Sequence, residues 1–214
     1  MQKIELRNTL PAVFAGREKN ESEVWLKDLT LERGRFYLIA AESGTGKSSL
    51  CSFLYGNRID YSGTIAFDGQ DIRSFSIDHW CDLRRNTIAY LPQDMRLFPE
   101  LSAIDNIRLK NSMTGHKSET QIDEMLDRLG IADKRDSLVA HLSIGQQQRV
   151  AIIRTLCQKA DFFLLDEPVS HLDEANNRIV AEMVTEEARK QGAAIIATSV
   201  GNDVAISVDT LLRL

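Results

Sequence analysis

Residues 36–48 read Phe36-Tyr37-Leu38-Ile39-Ala40-Ala41-Glu42-Ser43-Gly44-Thr45-Gly46-Lys47-Ser48, and the chain continues as Ser49-Leu50-Cys51-Ser52-Phe53-Leu54. An apolar run, a glycine-bearing turn and a helix-compatible run, in that order, form the context that a phosphate-binding loop requires. Glycines let backbone N–H groups close around a phosphate, the helix N-terminus adds roughly half a positive charge, and a lysine supplies a full one. Lys47 and Ser48 are the first candidate site residues, with Ala41, Glu42, Ser43, Gly44, Thr45, Gly46 and Ser49 around the same ligand. The pattern departs from G-x-x-x-x-G-K-[ST] at its first position, where Ala41 replaces glycine. What remains, Gly-Lys-Ser, would occur by chance in roughly one chain in ten of this length, so the rest of the sequence has to decide.

With 214 residues, 43% apolar and 27% charged, the chain can bury a sizeable core as one domain or one domain with an insertion. A net charge of −5 gives no overall electrostatic case for a nucleic-acid partner. No window reaches the roughly 18 apolar residues of a transmembrane helix, and the first residues lack the apolar core of a signal peptide, so a cytoplasmic chain is expected. Cys51, Cys81 and Cys157 are odd in number, far apart and mostly inside apolar stretches, which suits reduced core thiols better than disulfides or a metal cluster.

Taken in order, residues 3–33 predict short strands at Ile4–Leu6, Val13-Phe14, Val24–Leu26 and Leu29–Leu31, with a polar loop from Gly16 to Ser22. Beyond the phosphate loop, Ile65 and Phe67 alternate onto one face before the turn signal Asp68-Gly69, giving an antiparallel sheet beside the main core. A helix is expected over Ile77–Arg84 and a buried strand over Thr87–Leu91, stopped by Pro92 and leaving Gln93 at its carboxyl end. From Ser102 to Ala140 the pattern is helical: Ser102 and Asp105 are spaced as a cap, and Ile122, Met125, Leu126 and Leu129 share one face before Gly130. A further helix is expected over Gln147–Gln158, and Asp161–Pro168 is an apolar run ended by two acids and a proline, as in a central parallel strand. A helix over Ala175–Lys190 and strands over Ala193–Ala197 and Thr210–Leu214 complete an alternation that predicts an α/β fold with a mostly parallel sheet.

Together these motifs resemble the nucleotide-binding domain of ATP-binding cassette (ABC) transporters over essentially the whole chain. Ala41–Ser48 matches the phosphate loop, Gln93 the glutamine loop, Leu142-Ser143-Ile144-Gly145-Gln146 the signature, Phe162–Glu167 the Walker B strand, and Ser170–Asp173 the loop after it. A Leu-Ser-x-Gly-Gln alone would occur by chance in well under roughly one chain in a hundred. The resemblance implies a P-loop NTPase (RecA-like) core with an antiparallel β-subdomain and a helical insertion. It divides a single domain, 1–214, into a core of 1–92 and 147–214 and a helical subdomain of 93–146.

By the same resemblance the ligands are ATP and Mg²⁺. Lys47 is expected on the β- and γ-phosphates, with Ser48, Gln93 and Asp166 as oxygen ligands of the metal, direct or through water. Glu167 is expected as the general base for the attacking water; the mundane reading is a pair of acids capping a strand end. Ser143–Gln146 also fits an S-x-x-Q capping box. In the family Ser143, Gly145 and Gln146 would meet the γ-phosphate of ATP held by a second copy, implying a head-to-tail dimer.

Several positions depart from the family pattern. Ala41 implies a slight loop adjustment, Glu42 is expected to face solvent, and Ile144 stands in for a glycine. Ser199 occupies the place of the switch histidine that contacts the γ-phosphate, which implies slower hydrolysis. His171 is expected to pack or face solvent, the alternative being a partial replacement for that histidine. For adenine stacking Phe14 is the candidate and Trp25 the runner-up.

Residues 90–107 are similar to the corresponding segment of lipoprotein-releasing and macrolide-export ATPases, where a permease docks, here near Gln93–Leu101. That implies an ATPase subunit coupling dimer closure to work on a permease with few transmembrane helices and a periplasmic domain, peripheral to the cytoplasmic membrane. The rival is an ATP-gated regulatory module with little hydrolysis. A chromosome-maintenance ATPase is disfavoured because no long heptad segment separates the nucleotide motifs.

Overall fold

The apolar runs at 36–40, 88–91, 162–166 and 194–199 are too short for core helices and too continuous for half-exposed strands, so they form a sheet covered on both faces. The computed structural model describes residues 1–16 and 22–214. Its elements are β1 (Lys3–Pro11), β2 (Asp28–Glu32), β3 (Phe36–Ala40), α1 (Lys47–Leu54), β4 (Tyr61–Phe67), β5 (Gln70–Asp71), α2 (Ile77–Asn86), β6 (Ile88–Leu91), α3 (Ala103–Asn111), α4 (Glu119–Arg128), α5 (Ile144–Leu156), β7 (Phe162–Asp166), α6 (Glu174–Gln191), β8 (Ala194–Ser199) and β9 (Thr210–Arg213). The main sheet has the order β6-β7-β8-β3-β9, with every pairing parallel.

Pleating sends alternate residues to opposite faces, and the two faces seed two cores. Phe36, Leu38, Leu91, Phe163, Leu165, Ile195 and Ala197 pack with α3, α4, α5 and α6. Tyr37, Ile39, Ile88, Phe162, Leu164 and Ile196 pack instead with α1 and with Ile4, Leu6, Ile65 and Phe67 of a second, antiparallel sheet of order β2-β1-β4-β5. α1 and α5 therefore lie on opposite faces of the parallel sheet. In the antiparallel sheet Asp68 and Gly69, at φ 48° and 86°, join β4 to β5 through a two-residue turn, as the Asp-Gly signal requires.

Several helix starts follow a serine. Ser102 accepts from the Asp105 backbone N–H, and Ser118 and Ser143 each form a full capping box with Gln121 and Gln146. That box moves the start of α5 to Ile144, ahead of the expected Gln147. On α4 the expected apolar face forms, with Ile122, Leu126 and Leu129 buried and Met125 half-buried.

Two expected strands are absent. Val13-Phe14 lies in a short 3-10 helix, Ala12–Phe14, because Pro11 ends β1. Val24–Leu26 forms no strand either. There the Ser22 hydroxyl accepts from the backbone N–H of Val24 and Trp25, a side-chain turn that replaces ladder bonds. Most of the expected loop Gly16–Ser22 lies outside the described residues. Among the described residues no helix is long and apolar enough to cross a membrane.

Candidate functional site

β3 ends at Ala40 and α1 begins at Lys47, so residues 41–46 turn over the carboxyl edge of the parallel sheet. Gly46 caps the helix at φ 102°, and a Cβ there would lie 2.8 Å from the Phe14 ring. Only glycine allows that approach. Lys47 is just 4% exposed, and its ammonium donates to the carbonyls of Ala41 (3.1 Å) and Glu42 (2.8 Å) within its own loop. Burial lowers its proton affinity, while the Glu167 and Asp166 charges partly offset this. Glu42, Ser43 and Gly44 are exposed, as expected for Glu42.

A cavity of about 300 Å³ opens over this loop, lined by Phe14, Ser43, Gly44, Gly46, Lys47, Ser48, Ser49, Gln93 and Glu167, with Val13 at its rim. Within it the Ser48 hydroxyl lies 3.5 Å from Gln93 Oε1, Gln93 Nε2 donates to Glu167 Oε2 at 3.2 Å, and Glu167 Oε1 lies 3.9 Å from Lys47 Nζ. β6, β7 and α1 thus bring residues 47, 93 and 167 to one point although they are far apart in sequence.

Asp166, 1% exposed, does not itself line the cavity and accepts from Thr198 Oγ1 at 2.7 Å. The donor set of hydroxyl, amide carbonyl and carboxylate oxygens suits a small hard cation. No group of three or more His, Cys, Asp or Glu side chains that could hold a metal occurs among the described residues. An ion here would therefore draw on Ser48 and Gln93 as well as the acids.

Ser143, Gly145 and Gln146 do not line this cavity. Ser143 and Ile144 are exposed at the start of α5 on the other side of the sheet, where Ser143 caps the helix. A Cβ on Gly145 would lie 3.0 Å from the carbonyl oxygen of His171, so this end of α5 packs on the loop after β7. His171 itself is exposed, its Nδ1 2.9 Å from the Ser170 hydroxyl.

Ser199 departs from the expectation. β8 continues through it, past the expected end at Ala197, and pleat parity turns its side chain to the face that Ile195 and Ala197 share with α6. It is 1% exposed, its hydroxyl donates to the Asp203 carboxylate, and it does not line the cavity. Thr198, one residue earlier, faces Asp166 instead.

Phe14 and Trp25 also separate. Phe14 is half-buried and lines the cavity, whereas Trp25 is 6% exposed, packs on Phe53, and donates from Nε1 to the Thr45 carbonyl at 3.0 Å. Gln148, given no role by the sequence reading, is 2% exposed and donates to the Glu167 carbonyl at 3.2 Å.

The family model described as "ABC transporter" matches residues 27–170. The chain belongs to the ABC transporter family. Within it, the cassette is 31% identical to the lipoprotein-releasing system ATP-binding protein LolD of Shewanella frigidimarina over 87% of this chain and 80% of that protein. It is 36% identical to the macrolide export ATP-binding/permease protein MacB of Rhodopseudomonas palustris over 80% of this chain but only 27% of that longer protein. Among solved structures, the dimeric bacterial ABC transporter cassette MJ0796 matches with a TM-score of 0.83 at 24% identity, covering 99% of this chain and 94% of that one, a likeness of fold. The cassette is thus an ATP-binding module on a P-loop NTPase fold.

Proposed function

We propose that the cassette is the ATP-hydrolysing subunit of a membrane transport complex, acting as a head-to-tail dimer that closes on two ATP molecules. The observation that carries this reading is the convergence of Lys47, Ser48, Gln93 and Glu167 on one cavity, while Ser143 lies exposed and Gly145 half-buried elsewhere, outside that cavity. One copy then holds only half of each site, and the capped start of α5 in a second copy supplies the other half.

On binding ATP, the Lys47 ammonium exchanges the Ala41 and Glu42 carbonyls for phosphate oxygens, and the loop amides close around the same group. Phe14 stacks on the base. Mg²⁺, when bound, neutralises phosphate charge, and Ser48, Gln93 and Asp166 would hold it directly or through water. The Glu167 carboxylate takes a proton from the attacking water, whose oxygen bonds to the γ-phosphorus as the bond to the ADP oxygen breaks. Such a base contributes about 10² to 10⁴ in rate. Gln93, bonded to both Ser48 and Glu167, reports the state of this site to the segment that follows it.

That segment borders a groove of about 330 Å³ lined by Tyr55, Tyr90, Pro92, Arg96, Phe98, Leu109, Lys110, Met113 and Arg154. We place permease docking here. Leu97 packs into the core while Phe98 stays 53% exposed, so the second of the two apolar side chains is the one offered to a partner. The names of the relatives, lipoprotein release and macrolide export, favour an envelope-directed permease and a cassette peripheral to the cytoplasmic face of the membrane.

Light scattering of the Glu167→Gln chain tests the shared site. ATP should double its mass, and adding Ser143→Glu should abolish that shift while leaving monomer nucleotide binding intact. A persistent monomer in both would remove the shared-site reading.

A further inference from the structure

We infer that Gln148 and Thr198 are positioning residues that clamp the backbone of Glu167 from two sides, making the aim of the base conditional on where α5 sits. This rests on the reading of Glu167 as the general base.

Glu167 holds φ 52°, a left-handed conformation that non-glycine residues adopt rarely, and it precedes Pro168, whose ring favours extended backbone in the residue before it. A backbone of that kind persists only where its surroundings over-determine it. Here both backbone polar groups of Glu167 are engaged by side chains. Its N–H donates to Thr198 Oγ1 at 3.1 Å and its carbonyl accepts from Gln148 Nε2 at 3.2 Å.

Each partner is itself fixed. The Thr198 hydroxyl gives its single proton to Asp166 Oδ1 at 2.7 Å, so its lone pairs remain to receive the Glu167 N–H, and one hydroxyl sets both acids. Gln148, 2% exposed, also donates to Ser170 Oγ at 3.2 Å and accepts the His171 N–H at 2.9 Å. Its amide therefore holds three residues of the 167–171 loop. Gln148 sits one turn along α5 from Gly145, where an added Cβ would lie 3.0 Å from the His171 carbonyl oxygen of the same loop. A displacement of the exposed start of α5 is transmitted through this amide to the residue that carries the base. The device links the surface offered to a second copy with the chemistry of the first.

Thr198→Val and Gln148→Met in the full chain remove these hydrogen bonds at nearly constant volume. Misplacing a catalytic group by about 1 Å can cost ~10²-fold, so at saturating ATP·Mg²⁺ the expected loss in kcat of phosphate release is ~10- to 100-fold. ATP affinity should stay within ~3-fold, since a kcat-specific loss marks an interaction needed in the transition state. Thr198→Ser, which keeps the hydroxyl, should restore the rate. In the Glu167→Gln background neither substitution should lower the residual rate further, because residues acting as one unit are non-additive.

Unchanged kcat, equal losses in kcat and ATP affinity, failure of Thr198→Ser to restore the rate, or a further loss in the Glu167→Gln background would each overturn the clamp while leaving the base in place. Equal rates for the wild-type chain and Glu167→Gln would instead remove the base reading and the clamp together.

Discussion

Replacing Trp25 by phenylalanine removes one hydrogen bond from the underside of the phosphate loop while keeping an aromatic ring in the core. The indole N–H lies 3.0 Å from the Thr45 carbonyl, and the ring packs against Phe53 with 6% of its surface exposed. The net worth of such a bond is about 0.5–1.5 kcal/mol. If that free energy holds the loop in its binding geometry, at ~1.4 kcal/mol per tenfold the Kd for ADP should rise ~2- to 12-fold in Trp25→Phe. The same loss should lower the Tm by ~1–6 °C, at ~2–4 °C per kcal/mol for a chain of this size. Trp25→Ala also opens a core cavity costing ~3–5 kcal/mol, and a drop of ~6–20 °C is expected for it. Calorimetric titration of ADP and thermal melting of both variants separate the contributions. An unchanged Kd in Trp25→Phe with a lowered Tm would show that the indole serves the core alone and would refute the loop-holding argument.

Other consequences follow from the same geometry. Phe14→Ala should weaken ATP by ~2- to 12-fold through loss of an aromatic contact worth ~0.5–1.5 kcal/mol, with Phe14→Tyr near wild type, and a fluorescent nucleotide measures both. If the proposed docking to a permease holds, Phe98→Asp should abolish capture of the cassette by that partner in reconstituted membranes and leave phosphate release by the isolated chain unchanged. Lys117 pairs with buried Glu187 at 2.5 Å, and the Lys117 and His116 hydrogen bonds outweigh desolvation to hold the Glu187 carboxyl below its ordinary value of 4.5. Because the folded value is depressed, this pair contributes stability above pH ~4.5 that is lost as pH falls further, so urea midpoints should decline there. Lys117→Met strands the carboxylate and should cost ~3–5 kcal/mol at neutral pH.

The sequence made legible what is local. Gly46-Lys47-Ser48 after an apolar run dictates its own loop, and the serine caps at 102 and 143 announce their helices because a cap needs only residues three apart. Val13-Phe14 and Val24–Leu26 misled because β-branched and aromatic residues favour strands in general, while Pro11 and the Ser22 hydroxyl took over the backbone bonds in this instance. Ser199 could not be placed without knowing where β8 ends, since one residue of parity decides which face a side chain joins. Gln148 carried no local signal, because its partners Glu167, Ser170 and His171 are brought to it only by the packing of α5 on the loop after β7.

The central claim is that this chain hydrolyses ATP with Glu167 as the base, and steady-state phosphate release by the purified chain and its Glu167→Gln form tests it most directly. A wild-type rate that falls ~10²- to 10⁴-fold in Glu167→Gln, with ATP affinity retained, is the expected result. Equal rates in the two proteins would contradict the account.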